Sequence, residues 1–181
     1  MIHRRTLVLG AAAVSALTAS GTAQAGVRGP SVGGVTLDTL PTPLPRPYDD
    51  QAGAAAVDAR LKAAFRRAGR TRKRVIVDLG GNWCGWCRAL AAVMALPSVK
   101  PFVEANFEVV PVSVSSAKGL TDKNIHVLKR FKIKDVDGVP WLIVAEPNGR
   151  VLSSSSDVTD DNHQTPQQMV DWLAQWARSK A

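Results

Sequence analysis

The chain has 181 residues, 45% of them hydrophobic, and a formal charge of +8. That length suits one domain with an extension and leaves no room for two full domains. Two cysteines are too few and too close together to staple a small fold, which excludes a disulfide-framework protein. Outside the extreme N-terminus no apolar run reaches the roughly 18 uncharged residues of a membrane-spanning helix.

Residues 1–25 read as an export signal. His3-Arg4-Arg5 supplies positive charge, Leu7 to Leu17 an apolar stretch, and Ala23-Gln24-Ala25 a small-residue cleavage site. Arg4-Arg5-Thr6-Leu7-Val8 also fits the twin-arginine form. The expected location is therefore the periplasm or another exported site, with no membrane insertion once the signal is removed. Its loss takes Arg4 and Arg5 and no acid, leaving +6 of the +8.

Residues 26–48 follow as a Pro/Gly-rich extension. Gly26, Gly29, Pro30, Gly33 and Gly34 are followed by Pro41, Pro43, Pro45 and Pro47. Such a segment cannot form a helix and pairs poorly in a sheet, so it is expected to be a tether or a strap over the domain surface. Residues 49–181 make the domain itself.

Asp49 or Asp50 is expected to cap a helix from about Gln51 to Ala68, with Val57, Leu61, Ala64, Phe65 and Ala68 as its apolar face and Gly69 as its stop. The basic cluster from Arg60 to Arg74 reads as a solvated helix face and turn. Its one aromatic, Phe65, belongs to the apolar helix face, so no aromatic platform interleaves with the charges and no nucleic-acid partner is expected. Val75-Ile76-Val77-Asp78-Leu79 suits a central strand buried on both faces. A turn at Gly80-Gly81-Asn82 leads into a helix from about Cys84 to Ala95, ended by Pro97, and a helical turn near Val99–Val103.

Residues 107–114 form a second strand, in which Pro111 implies an edge position or a bulge. A helix over 121–131 is expected to turn Ile125, Leu128 and Phe131 inward. Trp141–Ala145 is a third strand, and Pro147-Asn148-Gly149-Arg150 a tight turn from which Val151-Leu152 returns antiparallel. Ser153 to Gln164 reads as a polar loop. Thr165, Pro166 and Gln168 form a capping box for a last helix that buries Met169, Trp172, Leu173 and Trp176. Parallel units joined by helices come first and a hairpin with a helix comes last, giving an α/β fold with a mixed central sheet flanked by helices.

The chemistry gathers at Trp83-Cys84-Gly85-Trp86-Cys87. Disulfide exchange needs an attacking thiolate and a second thiol near enough to displace the partner. A cysteine at a helix N-terminus meets unpaired N–H groups and the positive end of the dipole, which favour its thiolate. Cys84 is thus the attacker and Cys87, one turn on, the resolver. A closed zinc site needs about four ligands, and beyond His3 only His126 and His163 could join the two cysteines. Arg88 stands where haem attachment would place a histidine.

Val75 through Cys87 resembles the active-site strand and turn of the thioredoxin superfamily. Gly138-Val139-Pro140 resembles that family's cis-proline loop, and Asn148-Gly149 falls at its terminal hairpin. The similarity covers about residues 50–178. Leu96-Pro97-Ser98-Val99 before Phe107 resembles exported relatives akin to the C-terminal domain of periplasmic thiol-disulfide interchange proteins. The resemblance implies a thioredoxin-like fold. It implies that Asp78 is the buried acid that takes the Cys87 proton, that Trp83 is an aromatic wall beside Cys84, and that Pro140 faces the cysteines. Val139 then pairs its backbone with an extended substrate.

Three departures accompany it. Trp86 stands where thioredoxins commonly carry proline, Pro111 where they carry a buried lysine, and Trp141 where threonine is common. Trp86 and Trp141 are expected to flank a shallow substrate groove, with Trp83 more buried behind them. The expected activity is reduction of protein disulfides, with oxidase or isomerase action as the alternative. A further alternative is a binding module that holds a partner or Cu(I) without turnover. No cofactor is expected beyond the Cys84–Cys87 pair. The expected partners are protein thiols and disulfides and an upstream electron donor or acceptor, and the expected state is a monomer.

Overall fold

A computed structural model describes residues 28–114, 123–160 and 164–178. The signal and its cleavage site lie outside these residues. Helix α1 spans Ala54–Thr71, strand β1 Arg74–Gly80, α2 Gly85–Ala95, α3 Lys100–Asn106 and β2 Phe107–Ser113. Then come α4 at His126–Arg130, β3 at Trp141–Ala145, β4 at Val151–Ser155 and α5 at Pro166–Gln175.

The sheet order is β2-β1-β3-β4. β1 runs parallel to β2 and antiparallel to β3, and β3 pairs antiparallel with β4. The sheet is therefore mixed, with β1 central. Pro111 is accommodated because β2 is an edge strand, where a missing N–H on the outer side leaves the ladder intact.

Strand alternation divides the core. Val75, Val77 and Leu79 of β1 pack with Val110, Val112 and Ile143 beneath Val57, Leu61, Ala64 and Ala68 of α1. Ile76, Leu142 and Val144 face the other way, against Leu90 and Val93 of α2 and Met169 and Leu173 of α5. Asp78 shares the second face by the same period of two, the face that carries α2 and the cysteines. α5 begins with the expected capping box: Thr165 Oγ1 accepts from the Gln168 N–H at 3.2 Å, and Gln168 Oε1 accepts from the Thr165 N–H at 3.1 Å.

Several local expectations are corrected. Neither Asp49 nor Asp50 caps α1; Gly53 does, without a side-chain bond. Asp49 instead accepts from the Gln51 N–H, and Asp50 is drawn toward Asn82 and Ser113. Gly69 does not stop the helix, which runs on to Thr71 and ends at Arg72 in the left-handed region, φ 55°. α4 is one short helix, and Ile125 before it is 49% exposed while Leu128 is buried. β4 continues through Ser155 into the stretch read as a loop, because its polar serines pair with β3 on the sheet's open edge. The 147–150 turn holds, with Gly149 at φ 88°.

Basic residues late in α1 and just after it are drawn into ion pairs. Arg67 and Lys73 meet Glu108 at 2.8 and 3.8 Å, and Arg74 meets Glu146 at 3.2 Å.

Residues 28–48 lie over the domain as a strap. Val32 and Leu40 are buried in the core on the α2/α5 side. Arg88 of α2 donates to the carbonyls of Leu44 at 2.6 Å and Pro45 at 3.1 Å, fixing the strap where prolines leave its carbonyls unpaired.

Candidate functional site

β1 ends beneath the N-terminus of α2; the turn between them carries Cys84, and Cys87 lies in the first turn of α2. Cys84 is the N-cap of α2 with extended backbone (φ −83°, ψ 117°), and its sulfur accepts the Cys87 N–H at 3.1 Å. The two cysteines are joined as a disulfide, with Cα atoms 5.3 Å apart. Cys87 is fully buried and Cys84 is 6% exposed. Both sulfurs are thus buried, Cys87 completely and Cys84 nearly so.

Asp78 is 1% exposed, on the sheet face that carries α2. Burial raises its pKa to about 7, and a hydrogen bond from Tyr48 pulls the other way. The Tyr48 hydroxyl donates to the carboxylate, 2.9 Å from Oδ1 and 2.8 Å from Oδ2. Burial first, then the Asp78 charge and this bond, raise the Tyr48 pKa and keep the phenol protonated. Gly80 is required here: a Cβ on it would lie 2.5 Å from the Tyr48 hydroxyl and 2.9 Å from Cys87 Sγ. Tyr48, Cys84 and Cys87 pack as one cluster with Val139 against it.

Sequence reasoning missed Tyr48. Its signal was thin: the chain's one tyrosine, at the end of a proline-rich stretch. Asn82 was also passed over. It is buried in the active-site turn, where its Oδ1 accepts the Tyr48 N–H at 3.2 Å and its Nδ2 donates to the Tyr48 carbonyl at 2.6 Å. The same Nδ2 meets Asp50 at 3.0 Å. That bond is the largest of the effects that lower the Asp50 pKa, with Ser113, Lys123 and Arg46 adding to it.

Val139 approaches the pair from the loop before β3. The Val139–Pro140 bond is cis, and Cys84 Sγ lies 3.5 Å from the Val139 carbonyl oxygen.

The tryptophans divide differently from the expectation. Trp83 is the most exposed of the three at 50%, not the buried wall; its indole folds back over Gly81, where a Cβ would meet Nε1 at 2.5 Å. Trp86 is 38% exposed. Trp141 is half-buried. It packs against the α1-side core and its indole N–H donates to Ser154 Oγ at 2.8 Å, since position 141 shares that face with Leu79 across the β1–β3 ladder. The exposed aromatic surface next to Cys84 is therefore Trp83 and Trp86.

Met94, the one methionine on the cysteine helix, lies near its far end, about 15 Å along the axis from Cys84 at 1.5 Å per residue. It does not join the pair.

A family model for the thioredoxin-like domain matches residues 61–158. Among solved structures, a disulphide isomerase from Xylella fastidiosa Temecula1 is similar at 27% identity and a TM-score of 0.62, over 73% of this chain and 97% of that one. No curated protein matches the chain.

Proposed function

Because the chain belongs to the thioredoxin superfamily through its thioredoxin-like domain, we propose that this thiol-disulfide oxidoreductase is an exported reductant of protein disulfides. The observation that carries the reading is the buried carboxylate of Asp78, with a pKa raised to about 7, on the face of β1 that lies against α2, the helix of Cys87. A base of that strength beneath a buried thiol serves release of the substrate, the step a reductant must complete.

The reduced protein begins with Cys84 as thiolate, stabilised by the Cys87 N–H and the N-terminus of α2. It attacks one sulfur of a substrate disulfide, and the other sulfur leaves and takes a proton. Asp78 then accepts the Cys87 proton. The Cys87 thiolate attacks Cys84 Sγ, forming the Cys84–Cys87 disulfide and releasing the second substrate thiol. Two electrons have passed to the substrate, and a dithiol donor must return them. Val139 supports substrate binding through its backbone, and Trp83 and Trp86 supply apolar contact beside the reacting sulfur.

Export rests on the signal-like residues 1–25; among the described residues no helix is long and apolar enough to cross a membrane. The similar disulphide isomerase supports disulfide rearrangement as a second reading.

The test is turnover of insulin disulfides beside recovery of scrambled ribonuclease, each with a Cys84→Ser control. Insulin reduction lost in the control is the expected result. Efficient unscrambling with little net reduction would favour the second reading, and no turnover in either assay would leave only a binding module. Cell fractionation should find the protein outside the cytoplasm, beginning at Gly26.

A further inference from the structure

We infer that Tyr48 is a positioning residue for the redox reaction: through its hydroxyl, the strap sets the pH at which Asp78 becomes able to take the Cys87 proton. This rests on the reading of Asp78 given above and adds to it a residue outside the part of the chain that matches the family, residues 61–158.

Four observations carry it. The phenol reaches both Asp78 oxygens at 2.9 and 2.8 Å from a buried position, with Tyr48 3% exposed. The ring packs against both cysteines. The backbone of Tyr48 is held by a reciprocal pair of hydrogen bonds to Asn82, so the active-site turn fixes the residue that holds the acid. Arg88 pins the strap three to four residues earlier, on the helix that carries Cys87. A phenol placed only for packing needs none of these anchors.

The groups around Asp78 leave Tyr48 as its polar control. Its register partners on β2 and β3, Pro111 and Leu142, carry no charge. Cys87 is the titratable group that α2 presents to the cluster, while Arg88 turns to the strap carbonyls. Asp50 is engaged by Asn82 and Ser113, and Lys123 donates to the Asp50 carbonyl. Donation from Tyr48 favours the carboxylate and keeps Asp78 from being displaced further upward by burial.

The experiment follows both steps in one mixing with an aromatic disulfide reagent whose released thiolate is coloured. The first release reports Cys84 attack and the second reports Cys87 resolution. In Tyr48→Phe the inflection of the second phase should move up by about one to two pH units, the equivalent of one hydrogen bond to a charged group. The first phase should not move. Because Tyr48 is the only tyrosine, growth on 3,5-difluorotyrosine alters that phenol alone. A more acidic donor should move the same inflection down. Titration of the Asp78 carboxyl carbon by NMR in the reduced protein should follow both shifts.

If Asp78→Asn flattens the second phase while Tyr48→Phe and the fluorinated protein superimpose on wild type, Tyr48 is packing only and the inference is overturned. If Asp78→Asn keeps the full inflection, the Asp78 reading fails and takes the Tyr48 role with it. Should Tyr48→Phe not fold, the fluorinated protein decides by the direction of its shift.

Discussion

The Tyr48 phenol straddles the Asp78 carboxylate, 2.9 Å from one oxygen and 2.8 Å from the other, although thirty residues separate the two along the chain. This bond ties the proline-rich strap to the acid beneath the redox pair. It also places a hydrogen-bond donor on that acid within a buried site.

Asp78→Asn should stabilise the fold at neutral pH while slowing resolution. The folded pKa of Asp78 lies above its unfolded value, so the folded state holds the extra proton between about pH 4 and pH 7. The stability this contributes is fully present below the unfolded pKa and is lost as pH rises through the folded one. A shift of this size corresponds to roughly 4 kcal/mol as an order of magnitude. Urea denaturation of the reduced proteins at pH 5 and pH 8 checks it: the variant's advantage over wild type should be larger at pH 8.

Gly80→Ala should disturb the cluster directly. Its methyl would enter 2.5 Å from the Tyr48 hydroxyl and 2.9 Å from Cys87 Sγ, with rigid strand backbone behind it. Overpacking of this kind costs about 1–3 kcal/mol. Denaturant midpoints measure the loss, and an unchanged midpoint would mean the strap yields more easily than its anchors at Asn82 and Arg88 imply.

In the reduced protein Cys84 should alkylate first, with a midpoint below the ordinary thiol value of about 8.5, and Cys87 should lag. The basis is the N-cap position of Cys84 and the complete burial of Cys87. Peptide mapping after short iodoacetamide pulses from pH 5 to 9 reads both rates. Earlier labelling of Cys87 would reverse the assigned roles.

Trp86→Ala should weaken reaction with protein disulfides by about 30-fold, the equivalent of losing one aromatic anchor worth about 2 kcal/mol. Reaction with a small disulfide reagent should barely change, because that reagent uses only the Cys84 sulfur. Trp83→Ala should behave alike, since Trp83 is the more exposed of the two. Trp141→Ala should act on stability instead, through its core packing and its bond to Ser154. Parallel stopped-flow rates on both substrates separate these outcomes; equal losses on both would point to a change at Cys84 itself.

Local signals in the sequence determined much of this protein. A β-branched run made β1, a CxxC pair behind a turn made the N-terminus of α2, and Thr165-Pro166 with Gln168 opened α5, because each depends on neighbours within one turn or one strand. Pro111 announced an edge strand for the same reason: a missing N–H is a local fact. Asp78 could be singled out through the resemblance of Val75 to Cys87 to the active-site strand and turn of the thioredoxin superfamily.

Tertiary structure decided what spacing cannot carry. The start of α1 was decided by Asp50 being drawn to Asn82 and Ser113 in place of a helix cap. The exposure of Trp83 followed from close approach of its indole to Gly81, and the inward turn of Trp141 from its register with Leu79. Tyr48 reached Asp78 only because Asn82 and Arg88 hold the strap in place. Hydrogen bonds between segments 30 to 45 residues apart leave no periodic trace in either segment, so the residue nearest to controlling the acid was the one the sequence did not mark.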